Sequence, residues 1–375
     1  MRVRFILFLL CLLCVCAVGC SGRPEKINAL LEQGDQAFEE GRFEEAMKAY
    51  DQVIQLQPRL PMAYNDRGRA YVRLARYEEA IADFQKAIEL EPQSEYYTNL
   101  GLAYLATGAY KEGAEAFTEA IEQESRNAAL YIHRAQCYDG LDQNVLAVSD
   151  YTQAIELDPD GMDAAVYNNR GTAYFNLGEY EQAVVDYNHA LALEPEDELL
   201  IYRNRAESFR SMGDMEHAVE DMLYLMEKDP ENAENMQYRH VIASYFLQEQ
   251  QYDKAIEHLK VLAEAEPENV DLKLQLADCA YILEDYEQAI EYYTAAIKLK
   301  ADAVSYGNRA DCYLKTGNQK KALKDLNKAI KLDPEYGWAY YMRAQIYLDQ
   351  EEYEKAEADL SKAQSLSYNE QEDEI

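Results

Sequence analysis

Tyr167–Pro195 reads YNNRGTAYFNLGEYEQAVVDYNHALALEP, and Tyr64–Pro92 reads YNDRGRAYVRLARYEEAIADFQKAIELEP. The two stretches match at Tyr167, Tyr174 and Tyr180 (Tyr64, Tyr71 and Tyr77), at Arg170-Gly171 (Arg67-Gly68) and at Ala173, Ala183 and Ala190 (Ala70, Ala80 and Ala87), and both close on Glu-Pro. In the first, apolar and small residues recur at helical three-and-four spacing, as Tyr167, Gly171, Tyr174 and Leu177 and then as Ala183, Tyr187, Ala190 and Leu191. Each stretch therefore predicts two amphipathic helices joined by a turn, with the proline stopping the second.

The pattern extends along the chain. Pro58, Pro92, Pro159, Pro195, Pro230, Pro267 and Pro334 follow one another at 34, 67, 36, 35, 37 and 67 residues, a period of about 34 in which two prolines are skipped. A fixed period of this size marks a solenoid, because one unit cannot bury its own apolar face and must stack on its neighbours. With the proline at position 32, ten units tile 27–370: 27–60, 61–93, 94–127, 128–161, 164–197, 199–232, 236–269, 270–302, 303–336 and 337–370. Small residues at position 8 (Gly34, Gly68, Gly101, Ala135, Gly171) and position 20 (Ala46, Ala80, Gly113, Ala147, Ala183) let paired helices approach, and aromatic residues at 11 and 24 fill the space between them.

This unit resembles the tetratricopeptide repeat (TPR), and the resemblance implies an all-α fold, a right-handed α-solenoid of about ten helix-turn-helix repeats. Positions 21 and 28 are apolar in the first nine units, as in Ile81 and Ile88, but are Glu357 and Gln364 in the tenth, which reads as a polar cap. An acidic tail, 371–375, follows.

Residues 1–19 have the form of a signal peptide: Arg2 and Arg4, an apolar run from Phe5 to Val18, then Gly19. The run is shorter than the roughly 20 apolar residues a membrane-spanning helix needs. Ala17-Val18-Gly19-Cys20 resembles a bacterial lipobox, although Ala17 stands where Leu is most usual. That resemblance implies cleavage before Cys20, lipid on its thiol, a tether over 20–26, and an extracytoplasmic chain anchored to a bacterial membrane by palmitate-type acylation.

The 375 residues carry 36 Lys and Arg against 70 Asp and Glu, a net charge of −34. Such a surface repels phosphate backbones, so nucleic acid is not an expected partner. The five histidines form no paired metal-ligand spacing, no glycine-rich phosphate loop appears, and the repeats leave no room for a catalytic domain. No catalytic residue, metal or cofactor is expected. Cys137, Cys279 and Cys312 all fall at position 10, on the interior of a helix pair, and read as small buried hydrophobes with free thiols.

In the family that the chain resembles, positions 2, 5, 6, 9, 12 and 13 of the first helices line a concave face. The most suggestive set is Asn168, Asn169, Thr172 and Asn176 of unit five with Arg203, Asn204, Glu207 and Arg210 of unit six. Asn both donates to and accepts from an extended peptide backbone, and the two arginines suit a partner's carboxylates. Tyr306–Arg309 looks like the TPR clamp for chaperone C-terminal tails. That clamp also needs Lys and Asn where this chain has Leu274 and Asp278, and cations where it has Trp338 and Met342, so it is rejected. The recurring Arg at position 7 (Arg67, Arg134, Arg170, Arg205, Arg309, Arg343) reads as structural, its stem lying along neighbouring helices.

The expected function is a lipid-anchored, non-catalytic scaffold for another protein or extended peptide. An assembly factor of an envelope or secretion complex, of the barrel-insertion or pilus-secretin type, is the alternative. An enzyme with a site on the concave face is the alternative from another class.

Overall fold

A computed structural model describes residues 23–366, so the leader, Cys20 and the tail 371–375 fall outside the described residues. Among the described residues the chain is helical with short turns and no strand. It divides into two compact units, one through Gly213 and one from Asp214.

In the first unit α1 (23–39) pairs with α2 (Phe43–Leu56), α3 (Pro61–Arg73) with α4 (Tyr77–Leu90), and α5 (Ser94–Thr107) with α6 (Tyr110–Gln123). The hairpins α7 (Ala128–Gly140) with α8 (Asn144–Leu157) and α9 (Ala164–Asn176) with α10 (Tyr180–Ala192) follow, and α11 (Glu198–Met212) is last. α1 already covers 23–26, the end of the stretch read as a tether. The second unit opens on α12 (Met215–Lys228) and continues with α13 (Asn235–Gln248), α14 (Tyr252–Ala265), α15 (Val270–Ile282) and α16 (Tyr286–Leu299). It ends with α17 (Ala303–Lys315), α18 (Gln319–Leu332), α19 (Gly337–Asp349) and α20 (Tyr353–Ser365). Within each unit every helix from α2 onward packs on its sequence neighbours, the all-α solenoid architecture that the period implies.

The turn inside the hairpin is the same in every repeat. Position 15 has positive φ ten times: Gly41, Ala75, Gly108, Asp142, Gly178, Gly213, Gln250, Glu284, Gly317 and Glu351, between 54° and 82°. In nine repeats the next N–H reaches back five residues to the carbonyl at position 11, as from Glu179 to Tyr174 (2.9 Å) and from Asn318 to Tyr313 (2.7 Å). This left-handed cap satisfies the carbonyls that a helix end leaves open and turns the chain sharply into the second helix.

Between paired helices, glycine at position 8 makes room for a ring at position 24. A Cβ on Gly68 would sit 2.6 Å from Phe84, on Gly101 2.8 Å from Phe117, and on Gly171 2.9 Å from Tyr187. Phe84, Phe117 and Tyr187 are at most 1% exposed.

The position-7 arginines are structural, but more is involved than an apolar stem. Five of them fork onto the aspartate sixteen residues later: Arg170 Nε and Nη2 donate to Asp186 at 2.8 and 2.7 Å, and Arg309 to Asp325 at 2.7 and 2.9 Å. Arg67–Asp83, Arg134–Asp150 and Arg343–Asp359 repeat the geometry. The third nitrogen donates to position 25 of the preceding repeat, for example Thr152 for Arg170 (3.1 Å) and Asn327 for Arg343 (2.6 Å). Tyrosines at positions 4 and 11 flank the guanidinium, with Tyr167 and Tyr174 at 6.0 and 5.8 Å from that of Arg170. One side chain thus closes its own hairpin and staples it to the previous one.

Candidate partner-binding surface

Faces of the first helices that stacking leaves open are the candidate surface. In the first unit α9 brings Asn168, Asn169, Thr172 and Asn176 beside Arg203, Asn204, Glu207 and Arg210 of α11. Asn176 and Arg210 are exposed and the other six half-buried. Much of their hydrogen-bonding capacity is spent internally. Asn204 Nδ2 donates to Asn168 Oδ1 (3.1 Å), the Thr172 hydroxyl donates to the Asn168 carbonyl (2.9 Å), and Asn176 Nδ2 donates to Asn144 Oδ1 (3.3 Å). Arg210 Nη1 lies 2.9 Å from Glu207 Oε2, with both side chains nearly half exposed, so the cation shares its charge with its own helix. The same Asn pairing joins α3 to α5, where Asn99 Nδ2 donates to Asn65 Oδ1 (2.8 Å). Asn at these positions therefore ties repeat to repeat, and Asn168 Nδ2 also donates to Asn169 Oδ1 (3.4 Å).

Toward the start of the first unit the face turns acidic. Asp66 on α3 lies 3.6 Å from Arg69, and its side chain is only 12% exposed. Burial pushes its carboxyl up to about 6 against the pull of Arg69, with Asp35 and Glu95 adding repulsion.

The second unit holds a groove of about 870 Å³ between the first helices of its last three repeats, at the first-helix positions where the clamp residues are missing. Asp278, Tyr281 and Ile282 of α15, Asn308, Asp311 and Lys315 of α17, and Trp338 and Met342 of α19 line it. The Tyr293 hydroxyl donates to Asp278 Oδ1 and the Tyr281 hydroxyl to Asp311 Oδ2, both at 2.5 Å, and Asn308 Nδ2 donates to the Tyr293 oxygen (3.3 Å). Burial raises both phenols, and their carboxylate partners raise them further, so they stay protonated donors. Asp278 is itself raised by burial, partly offset by the Tyr293 hydrogen bond. Trp338 stacks on Tyr336 with centroids 5.7 Å apart and planes at 22°. In the sequence Asp278, Trp338 and Met342 serve only to exclude an anion clamp; the repeat register, which brings positions 9, 12 and 2 of successive units together, is the signal that points to the groove.

Among the described residues no group of three or more His, Cys, Asp or Glu is placed to hold a metal ion. Cys137, Cys279 and Cys312 are buried free thiols.

Family models described as tetratricopeptide repeat match residues 36–99, 98–161, 164–197, 240–304, 303–336 and 326–358. Among similar proteins, the Protein SGT1 homolog of Oryza sativa subsp. japonica is 39% identical over 92 residues, 24% of this chain and 25% of that protein. The Hsp70-Hsp90 organizing protein of Triticum aestivum is 33% identical over 105 residues, 28% and 18% of the two chains. Serine/threonine-protein phosphatase 5 of Homo sapiens is 44% identical over 75 residues, 20% and 15%. The chain thus spans a quarter or less of the length of these relatives. Among solved structures, the C-terminal part of a TPR repeat-containing protein from Cytophaga hutchinsonii covers 66% of this chain and 99% of its own, at 20% identity and a TM-score of 0.53, a likeness of fold.

Proposed function

We propose, since this chain belongs to the tetratricopeptide repeat family, that it is a non-catalytic scaffold holding another protein against the open faces of its first helices. The observation that carries this reading is how the polar groups are divided. The charged and amide side chains between helices are consumed in stapling repeats, as in Arg170 with Asp186 and Thr152 or Asn204 with Asn168. What remains accessible is a grooved surface of mixed apolar and polar character, which suits recognition.

The test is capture of a partner from detergent-solubilised membranes by the full chain, identified by mass spectrometry. Wild type should retain a stoichiometric protein, and Arg203→Glu with Arg210→Glu should weaken that capture if α9 and α11 provide the contact. Failure to retain any protein above a scrambled-face control would sink the scaffold reading.

The leader supports a second part of the proposal: lipid on Cys20 and a site of action outside the cytoplasm. Arg2 and Arg4, the apolar run and Gly19-Cys20 are the support. Cys20→Ala should abolish incorporation of labelled palmitate and shift the protein out of the membrane fraction. Unchanged labelling in that variant would remove the anchor from the proposal.

A further inference from the structure

The scaffold reading leaves open what kind of segment the second unit takes, and the groove between α15, α17 and α19 is specific about it. Its two acids are not solvated at random. Each has one carboxylate oxygen fixed by a tyrosine hydroxyl at 2.5 Å, and the other oxygen accepts no hydrogen bond among the described residues. The arginine of the same repeat is committed elsewhere, since Arg309 forks onto Asp325, so it does not neutralise them. The same lining holds an indole stacked on a phenol, the thioether of Met342, and Ile282, a large apolar side chain 49% exposed one turn beyond Asp278 on α15.

Carboxylates beside an aromatic face make a site for a cation with an apolar neighbour. A guanidinium or ammonium gains from the ring quadrupole and from the charges together. An acidic segment would meet two like charges and a chain of net charge −34. Lys315 is the one cation in the lining; it is exposed and has no carboxylate within ion-pair distance among the described residues. The volume, about 870 Å³, is that of a site for a few side chains.

We propose that this groove binds an extended segment of a partner protein that carries Lys or Arg next to an apolar residue, with Asp278 and Asp311 receiving the cation and Trp338, Met342 and Ile282 the apolar side chain. The proposal rests on the scaffold reading and narrows it to a partner chemistry. It also makes Lys315 a brake, since it faces the incoming cation.

Trp338 is the chain's only tryptophan, so its fluorescence reports the groove directly. A random dodecapeptide display library is panned on the full chain and on the variant Asp278→Asn/Asp311→Asn, which keeps acceptors for both tyrosine hydroxyls. Far-UV circular dichroism confirms that the variant is folded. Peptides enriched on wild type should carry Lys or Arg beside an apolar residue and shift the Trp338 emission saturably at 0.15 M salt. They should bind the variant at least about tenfold more weakly, and Lys315→Ala about threefold more tightly. Enrichment of acidic or uncharged peptides, equal binding to the variant, or failure to enrich any peptide that shifts Trp338 would each overturn the proposal. Capture of a membrane partner that survives Asp278→Asn/Asp311→Asn would overturn it while leaving the scaffold reading intact. Absence of any captured partner would count against the scaffold reading instead.

Discussion

The Arg170–Asp186 pair shows what a single residue does in this array. The two side chains are 15% and 2% exposed, so the charges are nearly out of water and are supported by a fork of two hydrogen bonds. Removing one partner strands the other. Arg170→Met should cost about 3 kcal/mol in urea denaturation, whereas Arg170→Met with Asp186→Leu should recover most of that loss, because a buried pair is often replaceable by apolar side chains. If the single variant loses less than about 1 kcal/mol, the pair is not the staple described above. The pairing is legible in the sequence: each unit with Arg at 7 carries Asp at 23, and the units with Gln33, Leu100, Ile242 and Leu276 there carry Ala49, Ala116, His258 and Tyr292. Asp66 is the opposite case, a carboxylate whose burial outweighs its partner. Its folded pKa of about 6 lies above the ordinary value of 3.8, so between those pH values the folded chain binds more protons than the unfolded one. Its ionisation therefore removes stability as pH rises through that window. Asp66→Asn should stabilise the protein by about 1–2 kcal/mol at pH 7.5, and the gain should vanish below pH 4. Equal urea midpoints at pH 7.5 would show that Arg69 compensates the charge fully.

At the scale of the helical hairpin, repetition made the fold legible. Proline at 32, a small residue at 8 and a ring at 24 are one steric arrangement written several times. Where the residue at 24 shrinks to Leu259 or Leu326, the residue at 8 grows to Ala243 or Ala310. The candidate site was harder to read because an asparagine on an open helix face looks the same whether it awaits a peptide or its neighbour's amide. Stacking decides, and it pairs Asn168 with Asn204. The turn provides a test of hairpin energetics. Ala75 and Glu284 adopt φ of 54° and 61° where Gly41 and Gly178 sit in other repeats. A side chain in that region costs about 1–2 kcal/mol, of which glycine's extra freedom in the unfolded chain takes back part. Ala75→Gly and Glu284→Gly should each raise stability by about 0.5–1 kcal/mol, and Gly178→Ala should lower it by a similar amount. Thermal denaturation of the three variants checks the signs, and a destabilising Ala75→Gly would mean that the left-handed cap is not strained.

For the whole molecule, the three buried thiols report how far unfolding is shared. Burial pushes Cys137 and Cys312 up to about 12 and Cys279 up to about 11, so at pH 8 almost no thiolate exists in the folded protein. Each is at most 1% exposed, and reagent reaches the sulfur only when the surrounding helices open. Cys137 lies in the first compact unit, where its sulfur occupies the space beside Gly113. Cys312 packs with Ala277, Ala280 and Tyr293 in the second unit, within one repeat of Cys279. In an array whose repeats touch only near neighbours, opening spreads along the stack and need not be global. We expect Cys279 and Cys312 to become reactive together as denaturant rises, and Cys137 to become reactive at a different concentration, as read by peptide mass spectrometry after pulsed alkylation. Coincident labelling of all three would mean that the two units unfold as one. Rapid labelling of any of them without denaturant would mean that position 10 does not face the interior and that the ten-repeat register is wrong at that unit.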